Sequence, residues 1–325
     1  MILRRADNSG GKVVVALIND QYYEIENSKL MSDFISQHEL CSKFHYNLLE
    51  IANLEGELLS ELEAIILADA KTYNAPLDDI IPIEPKSFRD FMLFEKHVID
   101  STRGYVRRFL PTLFHLTNTI EKITGKTFAK FRPHKLWYQQ PIYYFGNHLN
   151  FGGSGNNVVT PEYTNALDYE LEIGAILSRP LRDATPEEAK AAIGGYVILN
   201  DLSARDVQKD EMECGFGPQK AKHFHSTMSS ELLTSRDLNF EADEFTASVL
   251  INGKVVSKCN TVDMKYTFAE AISFASKSEQ LHVGELFGSG TLPGGSGMET
   301  GNWVTSGDVL TLKVDQIGEL SNTIV

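Results

Sequence analysis

The chain of 325 residues lacks any apolar run long enough to span a bilayer, and its opening residues lack the apolar stretch of a signal peptide. These absences predict a cytoplasmic protein with no membrane partner. Cysteine is scarce, since only Cys41, Cys214 and Cys259 occur, far apart and without a CxxC pair. Such spacing argues against a disulfide framework and against a thiolate zinc site.

Basic residues are also few, because 30 lysines and arginines face 44 aspartates and glutamates and leave a formal net charge of -14. A chain of this charge repels phosphate backbones, so we expect no nucleic-acid partner. The surplus of carboxylates leaves oxygen ligands available for a hard cation. Hydrophobic residues make up 42% of the chain and charged residues 23%, which is typical of a folded globular protein.

The pattern of the chain changes near residue 85. Residues 11–24 predict a small β element around an Asn-Asp turn, and residues 27–70 have the apolar spacing of helices. Prolines at positions 76, 82 and 85 then break this pattern. We therefore predict a smaller N-terminal domain of strands and helices over residues 1–85 and a larger domain over residues 86–325.

Short apolar segments and glycine-rich turns dominate the larger domain. One helix interrupts them, because Thr185, Pro186 and Glu188 form a capping box with proline at the first helical position. Many short strands with few helices are typical of a β-rich α+β domain and not of a doubly wound sheet.

One predicted strand carries acids at alternate positions, in the stretch NALDYELEIGAIL. Side chains of a strand alternate between its faces, so Asp168, Glu170 and Glu172 share one face and the apolar residues between them share the other. A solvent-facing edge strand with alternating charges explains this pattern, and the pattern alone favours it. The alternative is an inner strand whose aligned carboxylates need a cation or must be neutral.

Two further segments carry candidate chemistry. Asp201 ends the apolar run of GGYVILNDLSARDVQ and is followed closely by Arg205 and Gln208. Polar loops at strand ends are frequent places for binding sites. FRDFMLFEKHV offers Asp90 and, seven residues later, His97, which predicts an acid and a possible base on one helical face.

Taken together, these segments resemble the fumarylacetoacetate hydrolase family over roughly residues 85–325. The landmarks in this sequence are RDFMLFEKH, QPIYYFGN, LDYELEIG, NDLSARDVQ, GPQKAK, GTLPGG and GDVLTLKVDQIGELSNTIV. The ExE strand combined with the NDxSARDxQ segment is the specific part of this signature. The resemblance implies a mixed β-sandwich or roll for residues 86–325, packed beside the smaller N-terminal domain, and a homodimer.

The resemblance also implies a divalent metal site. The positions that match the family's ligands are Asp90, Glu170, Glu172 and Asp201. Oxygen ligands suit Mg²⁺ first, with Mn²⁺ or Ca²⁺ as alternatives, and disfavour zinc or copper. Arg205 and Lys222 would balance the remaining negative charge. Asp168 falls outside the implied ligand set, and we expect it to be a surface or hydrogen-bonding acid.

The catalytic residues implied by the resemblance are a base and its supporting groups. His97 matches the family's general base, and Glu299 matches the glutamate that orients it. A carboxylate next to an imidazole both holds the ring and stabilises its cation. Arg205, Gln208 and Lys222 match groups that bind the developing oxyanion, where fixed donors act most strongly in a dry site.

Four positions match substrate contacts. Tyr144 and Thr291 are residue types that can bond a substrate, although Tyr144 can equally be an ordinary aromatic in an aromatic-rich strand. Met92 and Met212 stand where animal fumarylacetoacetate enzymes have tyrosines, and the arginine that follows the histidine segment in those enzymes has only Arg103 nearby. Losing polar contacts changes substrate discrimination.

The implied function is metal-dependent hydrolysis of a carbon-carbon bond in a small 1,3-diketo acid of the fumarylacetoacetate or acylpyruvate type. The alternative is a decarboxylase, tautomerase or hydratase that acts on oxaloacetate-like 2-oxo acids through an enolate. The His97 and Glu299 pair favours hydrolysis, because a water-activating base is less needed for decarboxylation. A protein that keeps the fold only as a binding or assembly module is a third interpretation, favoured if metal binds but His97 and Glu299 lie too far apart to hydrogen-bond.

Overall fold

The computed structural model describes residues 1–8, 11–54, 56–75, 80–235 and 244–325. The described part is a mixed, β-rich arrangement of helices and strands. The strands are β1 (Ile2–Asn8), β2 (Gly11–Ile18), β3 (Gln21–Glu24), β4 (Phe88–Phe91), β5 (Tyr143–Gly146), β6 (Phe151–Gly152), β7 (Asn157–Val158), β8 (Leu167–Asp168), β9 (Leu171–Leu177), β10 (Ile193–Asn200), β11 (Ser203–Ala204), β12 (Ser226–Met228), β13 (Leu232–Thr234), β14 (Thr246–Ile251), β15 (Lys254–Asn260), β16 (Leu286–Gly288), β17 (Val309–Val314) and β18 (Gly318–Ile324).

The described helices lie between these strands in the chain, singly or in succession. They are α1 (Lys29–Gln37), α2 (Leu48–Ala52), α3 (Gly56–Asp69), α4 (Glu95–Phe109), α5 (Pro111–Thr124), α6 (Pro186–Ala192), α7 (Arg205–Glu213), α8 (Phe268–Ala275) and α9 (Gly297–Thr300). Three short 3₁₀ helices cover Phe44–Tyr46, Ala129–Phe131 and Lys135–Tyr138. Within the described ranges, no helix is both long enough and apolar enough to cross a membrane.

Two large sheets and one small one organise the described strands. The first follows the order β3-β2-β1-β13-β10-β9-β16-β4-β5, with β12 and β6 attached beside β10. The second follows β15-β14-β17-β18-β7, and β11 pairs with β8. Parallel pairs such as β16 with β4 occur among mostly antiparallel ones. The predicted β-rich α+β class is confirmed.

Strands β9 and β10 lie at the centre of the first sheet and are buried on both faces. One face packs against the second sheet, where Ile173 and Ile198 share an apolar cluster with Leu312. The other face packs under the N-terminal helices, where Ile176 and Val197 share a second cluster with residues of α1 and α3. Burial of this apolar surface away from water stabilises the packing of the layers.

The N-terminal segment joins the first sheet directly. β1 pairs with β13 at Ile2 and Leu233, and β2 and β3 continue outward as the hairpin that the sequence predicts. Its turn residues Asn19 and Asp20 have φ angles of 51° and 61°, as tight hairpin turns require. The division at residue 85 stays a prediction, and Pro76 of the proposed boundary lies outside the described residues.

The predicted helical stretch over residues 27–70 contains α1, α2 and α3. The predicted capping box is also confirmed, because the Thr185 hydroxyl accepts from the backbone N–H of Glu188, and the Glu188 carboxylate accepts from the N–H of Thr185. Both features depend on residues close together in the chain.

Candidate active site

The candidate site forms where four neighbouring strands of the first sheet meet. Asp90 lies in β4, Glu172 lies in β9, and Asp201 directly follows β10. β16 lies between β4 and β9 and places Gly288 beside Asp90. A β-carbon at position 288 would lie 2.9 Å from Glu172 Oε2, so a glycine here leaves room for the carboxylates to approach each other.

These three carboxylates form a compact acidic group, which we call the triad (Asp90, Glu172 and Asp201). One oxygen from each residue lies within 4.8 Å of the others, and all three side chains are buried. Neither oxygen of Glu172 has a hydrogen-bond donor among the described residues. Burial, and then the charges of Asp90 and Asp201, raise the pKa of Glu172 well above its ordinary value of 4.5.

The triad fits a hard divalent cation. Buried carboxylates without donors are costly unless they are protonated or coordinate a metal. Burial together with neighbouring acids also raises the pKa values of Asp90 and Asp201. Oxygen ligands of this kind suit Mg²⁺, Mn²⁺ or Ca²⁺.

Glu170, the fourth ligand in the prediction, faces basic side chains and is not part of the triad. Its Oε1 accepts from Arg205 Nη2 at 2.6 Å, and its other oxygen accepts from Lys222. Burial alone would raise the pKa of Glu170, but Arg205, Lys222 and His97 outweigh it and lower the pKa. The structure thus brings together three of the four predicted ligands and pairs the fourth with two cations.

Lys222 links Glu170 to the triad. Its ammonium group also donates to Asp201 Oδ2 at 2.5 Å. Burial would lower the pKa of Lys222, yet the carboxylates of Asp201 and Glu170 raise it, so the side chain stays cationic. This charge offsets part of the negative charge of the site, as the sequence predicts for Lys222.

His97 lies between Glu170 and Glu299. Its Nδ1 lies 3.1 Å from Glu299 Oε2, and its Nε2 lies 3.8 Å from Glu170 Oε1. Nδ1 makes no hydrogen bond within the part of the chain that the structure describes. Glu299 is itself fixed, because it accepts from the Gly294 N–H at 3.0 Å and from the Ser296 hydroxyl at 2.9 Å. The base and its orienting acid are therefore close enough to interact.

Arg205 is held by three hydrogen-bond partners. It donates to Asp168 Oδ2 at 2.8 Å, to Glu170, and to Gln208 Oε1 at 2.9 Å. Burial would lower the pKa of Arg205, and the two carboxylates raise it instead. Arg205 and Gln208 thus contact each other, and Arg205 is firmly fixed beside Glu170.

The predicted substrate residues lie in different surroundings. The Tyr144 hydroxyl donates to Asp201 Oδ2 at 2.6 Å. Thr291 is buried, and its hydroxyl has no partner in the part of the chain that the structure describes. Met92 is half-buried beside Gly290, whereas Met212 lies near the end of α7 with half of its surface exposed. Thr291 is therefore the best placed of the four to bond a ligand.

Comparison with known families identifies the family of the chain. Residues 121–325, well over half of the chain, match the family profile described as "Fumarylacetoacetate (FAA) hydrolase C-terminal". The chain belongs to the fumarylacetoacetate hydrolase family.

Relatives within this family have different activities in their names. "Oxaloacetate tautomerase YisK" of Bacillus subtilis is 28% identical over 188 residues, covering 57% of this chain and 62% of that protein. "2,4-didehydro-3-deoxy-L-rhamnonate hydrolase" of a Sphingomonas species is 28% identical over 184 residues, covering 55% and 63% respectively. The matches to these two relatives span less than two thirds of their lengths.

The fold similarity extends over the whole chain. The structure "Fumarylacetoacetate hydrolase (EaFAH)" from Exiguobacterium antarcticum has a TM-score of 0.67 and 19% identity, covering 100% of this chain and 99% of that one. At this identity the similarity concerns the fold alone. The similarity in fold includes the N-terminal segment, residues 1–85, whose sequence carries no motif of the family.

Two expectations about this family member are wrong. The acidic strand is not a solvent-facing edge, because β9 lies between β10 and β16, and Glu172 is fully buried. Asp90 and His97 do not share a helical face, since Asp90 lies in β4 and His97 lies in the first turn of α4. Pairing of β4 with β16 and β5 overrides the helical spacing.

Sequence reasoning also gave Asp168 too small a role. The expected hydrogen-bonding function is confirmed, but the residue is fully buried and is not on the surface. Gly288, which makes room for the triad, was not singled out either. The alternation that aligns Asp168 with Glu170 and Glu172 was the available signal for the acid. Arg103, by contrast, pairs with Glu121 and Asp100.

Proposed function

We propose that this protein is a divalent-metal-dependent hydrolase that cleaves a carbon-carbon bond in a small 1,3-diketo acid of the fumarylacetoacetate or acylpyruvate type. The observation that carries the proposal is the buried His97, with Glu299 at one ring nitrogen and Glu170 at the other. This is the arrangement that a general base needs to take a proton from water.

The triad residues would hold the cation. A divalent cation there would polarise the 2-oxo carbonyl of the substrate and stabilise negative charge on its oxygen. The orphaned carboxylate of Glu172 supports this assignment, because it has no other described partner. Mg²⁺ is the proposed ion, with Mn²⁺ or Ca²⁺ as alternatives.

His97 would take a proton from water at Nε2 while Glu299 stabilises the resulting imidazolium. The water oxygen adds to the carbonyl carbon farther from the acid group, and the bond from that carbon to the neighbouring methylene carbon breaks. The methylene carbon leaves as an enolate and takes the proton back from His97. The products from an acylpyruvate are therefore one carboxylic acid and pyruvate.

The surrounding residues would orient the substrate and steady the developing charge. The hydroxyl of Thr291, which has no partner among the described residues, would donate to a substrate oxygen. Tyr144, Arg205, Gln208 and Lys222 would complete the polar lining that we propose for this step. Met92 would make an apolar contact and favour a substrate that lacks a polar group at that position, whereas the half-exposed Met212 would contribute little to binding.

A second candidate, tautomerisation of an oxaloacetate-like 2-oxo acid, is favoured by a separate observation. Arg205 and Lys222 each bond two carboxylates, so the proposed oxyanion donors are already engaged. Moving a proton between carbon and oxygen needs a base and a polarised carbonyl but no tetrahedral oxyanion. One relative is named an oxaloacetate tautomerase. Decarboxylation or hydration of the same acids would use the same groups.

Parallel assays with acetylpyruvate and oxaloacetate test the two candidates. We expect equimolar acetate and pyruvate from acetylpyruvate with Mg²⁺ or Mn²⁺, and no release after chelation. His97→Ala should reduce the rate at least about 100-fold, because general base catalysis contributes about 10²–10⁴. His115→Ala, which changes an exposed histidine on α5, is the matched control and should leave the rate unchanged.

The outcomes separate the candidates. Enol-keto conversion of oxaloacetate without acetate release would replace the hydrolase proposal by the tautomerase. Release of acetate that persists in chelator would overturn the metal assignment, and release that persists in His97→Ala would overturn the base assignment.

A further inference from the structure

Asp168 accepts four hydrogen bonds at the edge of the candidate site. Its Oδ1 accepts from the backbone N–H groups of Tyr169 at 2.9 Å and Gly297 at 2.8 Å. Its Oδ2 accepts from Arg205 Nε at 2.8 Å and from the N–H of Met298 at 3.0 Å. The carboxylate is fully buried, so these donors replace its water shell.

Two of these hydrogen bonds, from the backbone of α9, connect Asp168 to Glu299. Gly297 and Met298 are the first two residues of α9, and Glu299 is the third. A β-carbon at Gly297 would lie 2.6 Å from Asp168 Oδ1, so the glycine lets the helix approach the carboxylate. By holding both backbone N–H groups, Asp168 fixes the short helix that places Glu299 next to His97 Nδ1.

The second connection leads to Glu170. Arg205 donates to Asp168 through Nε and to Glu170 through Nη2, so the same guanidinium group joins the two carboxylates. Glu170 is the acid on the Nε2 side of His97. Asp168 is therefore connected to both carboxylates that flank the His97 ring, Glu299 at Nδ1 and Glu170 at Nε2.

We infer that Asp168 is a positioning residue that sets the places of Glu299 and Glu170 on either side of His97. It acts through α9 and Arg205 and does not touch the reacting atoms. The inference rests on the proposed function of His97 as the base. Small displacements of catalytic groups are costly, and about 1 Å can reduce a rate about 100-fold.

Asp168→Asn is the direct test, because it keeps the shape and removes one acceptor oxygen. Each Asp168 oxygen accepts one N–H from α9 and one from elsewhere. In either orientation of the amide, its NH₂ group faces two N–H donors and cannot accept from them, so one of the two hydrogen bonds to α9 is lost. We expect kcat for acetylpyruvate to fall about 10- to 100-fold with KM unchanged, since Asp168 does not bond Thr291 or Tyr144, and Arg205, which it does bond, is proposed to act on the developing charge.

Glu285→Gln is the matched control. Glu285 is also buried and paired with an arginine, Arg89, away from His97. Removing its charge disturbs a buried ion pair of the same kind, so it measures the purely structural effect. It should lower the melting temperature and leave kcat and KM unchanged.

The ring signals of His97 give a readout that does not depend on the substrate. In ¹⁵N-labelled protein at fixed pH, His97 can be assigned by its loss in His97→Asn among the nine histidines. Asp168→Asn should shift the His97 nitrogen signals, and Glu285→Gln should not. If the wild type turns over neither acid, the proposed function fails, and these signals alone decide the positioning role.

Other outcomes overturn the inference. An unchanged kcat with unchanged His97 signals in Asp168→Asn would do so, as would equal losses of kcat in Asp168→Asn and Glu285→Gln. If Asp168→Asn does not fold, Gly297→Ala is the second test. Its β-carbon displaces α9 from Asp168 Oδ1 and keeps the charges of Asp168 and Arg205, so kcat must fall while KM stays unchanged.

Discussion

Replacing Glu172 by glutamine should have opposite effects on stability with and without a divalent cation. In the metal-free protein, three buried carboxylates lie close together and Glu172 has no described donor. Glu172→Gln removes one negative charge from this group and supplies an NH₂ group that can donate to Asp90 or Asp201. We expect the variant to be more stable than the wild type in chelator and less stable in excess Mg²⁺.

The separation of the carboxylates sets the size of the effect. Two negative charges no more than 4.8 Å apart repel by at least about 3.5 kcal/mol at an effective dielectric constant of about 20. Protonation relieves part of this repulsion, so Glu172→Gln should raise the free energy of unfolding in chelator by about 1–2 kcal/mol. Each kcal/mol corresponds to roughly 2–4 °C in Tm. Mg²⁺ at about 100 times its Kd should stabilise the wild type by about 2.7 kcal/mol.

The raised pKa of Glu172 also gives a sign for the pH dependence. Above the ordinary pKa of 4.5 and below the raised pKa of the folded state, the folded protein binds more protons than the unfolded chain. The metal-free wild type should therefore lose stability as pH rises through this window, by up to about 1.4 kcal/mol per pH unit for each such group. Glu172→Gln should show a weaker dependence.

Thermal melts in EDTA and in Mg²⁺, at several pH values, measure all three effects. The control is Glu285→Gln, whose carboxylate accepts from Arg89 and Ser87, and which should lower Tm equally in both conditions. A lower Tm than wild type in EDTA would refute the repulsion argument. An equal rise in Tm with Mg²⁺ in wild type and Glu172→Gln would refute the assignment of the triad as the metal site.

Four further predictions concern activity and assembly. Glu299→Gln should lower kcat for acetylpyruvate about 10- to 100-fold, because the imidazolium of His97 loses its counter-charge; a normal kcat would contradict this role. Thr291→Val should raise KM about 3- to 10-fold without lowering Tm, since its hydroxyl has no described partner to lose. Met212→Ala should change kcat/KM by no more than about twofold, because the side chain is half exposed. We also propose a homodimer, so light scattering should give twice the chain mass of 36.3 kDa, and a mass of one chain would exclude it.

Features that depend on neighbouring residues could be predicted from the sequence. The hairpin turn at Asn19 and Asp20 and the capping box of Thr185 and Glu188 are set by residues one to three positions apart. In both cases the local pattern and the final structure agree. The alternation around Glu170 pointed to the acids, but they do not lie on one strand, because Asp168 lies in β8, Glu170 lies between the two strands and Glu172 lies in β9.

Features that depend on distant residues could not be predicted from the pattern. Glu170 is neutralised by Arg205 and Lys222, which are 35 and 52 positions away. Asp168 bonds Gly297 and Met298, which are 129 and 130 positions away. Without these partners a strand with aligned acids is best placed at a solvent-facing edge, and that expectation is wrong for β9.

The family resemblance supplied what the pattern lacked, and its set of four ligands stays a prediction. It grouped Glu170 with the triad, and in the described structure Glu170 pairs with two basic side chains. The distinction matters physically, because a carboxylate with two cationic donors has less need of a metal than the orphaned Glu172.

The most direct test of the account is a count of bound Mn²⁺ by electron paramagnetic resonance titration of the wild type and Glu172→Gln. The account predicts one tightly bound Mn²⁺ per chain in the wild type, retained in His97→Ala and lost in Glu172→Gln. Absence of tight binding in the wild type, or equal binding in Glu172→Gln, would contradict the central claim that Asp90, Glu172 and Asp201 form a divalent-cation site beside His97.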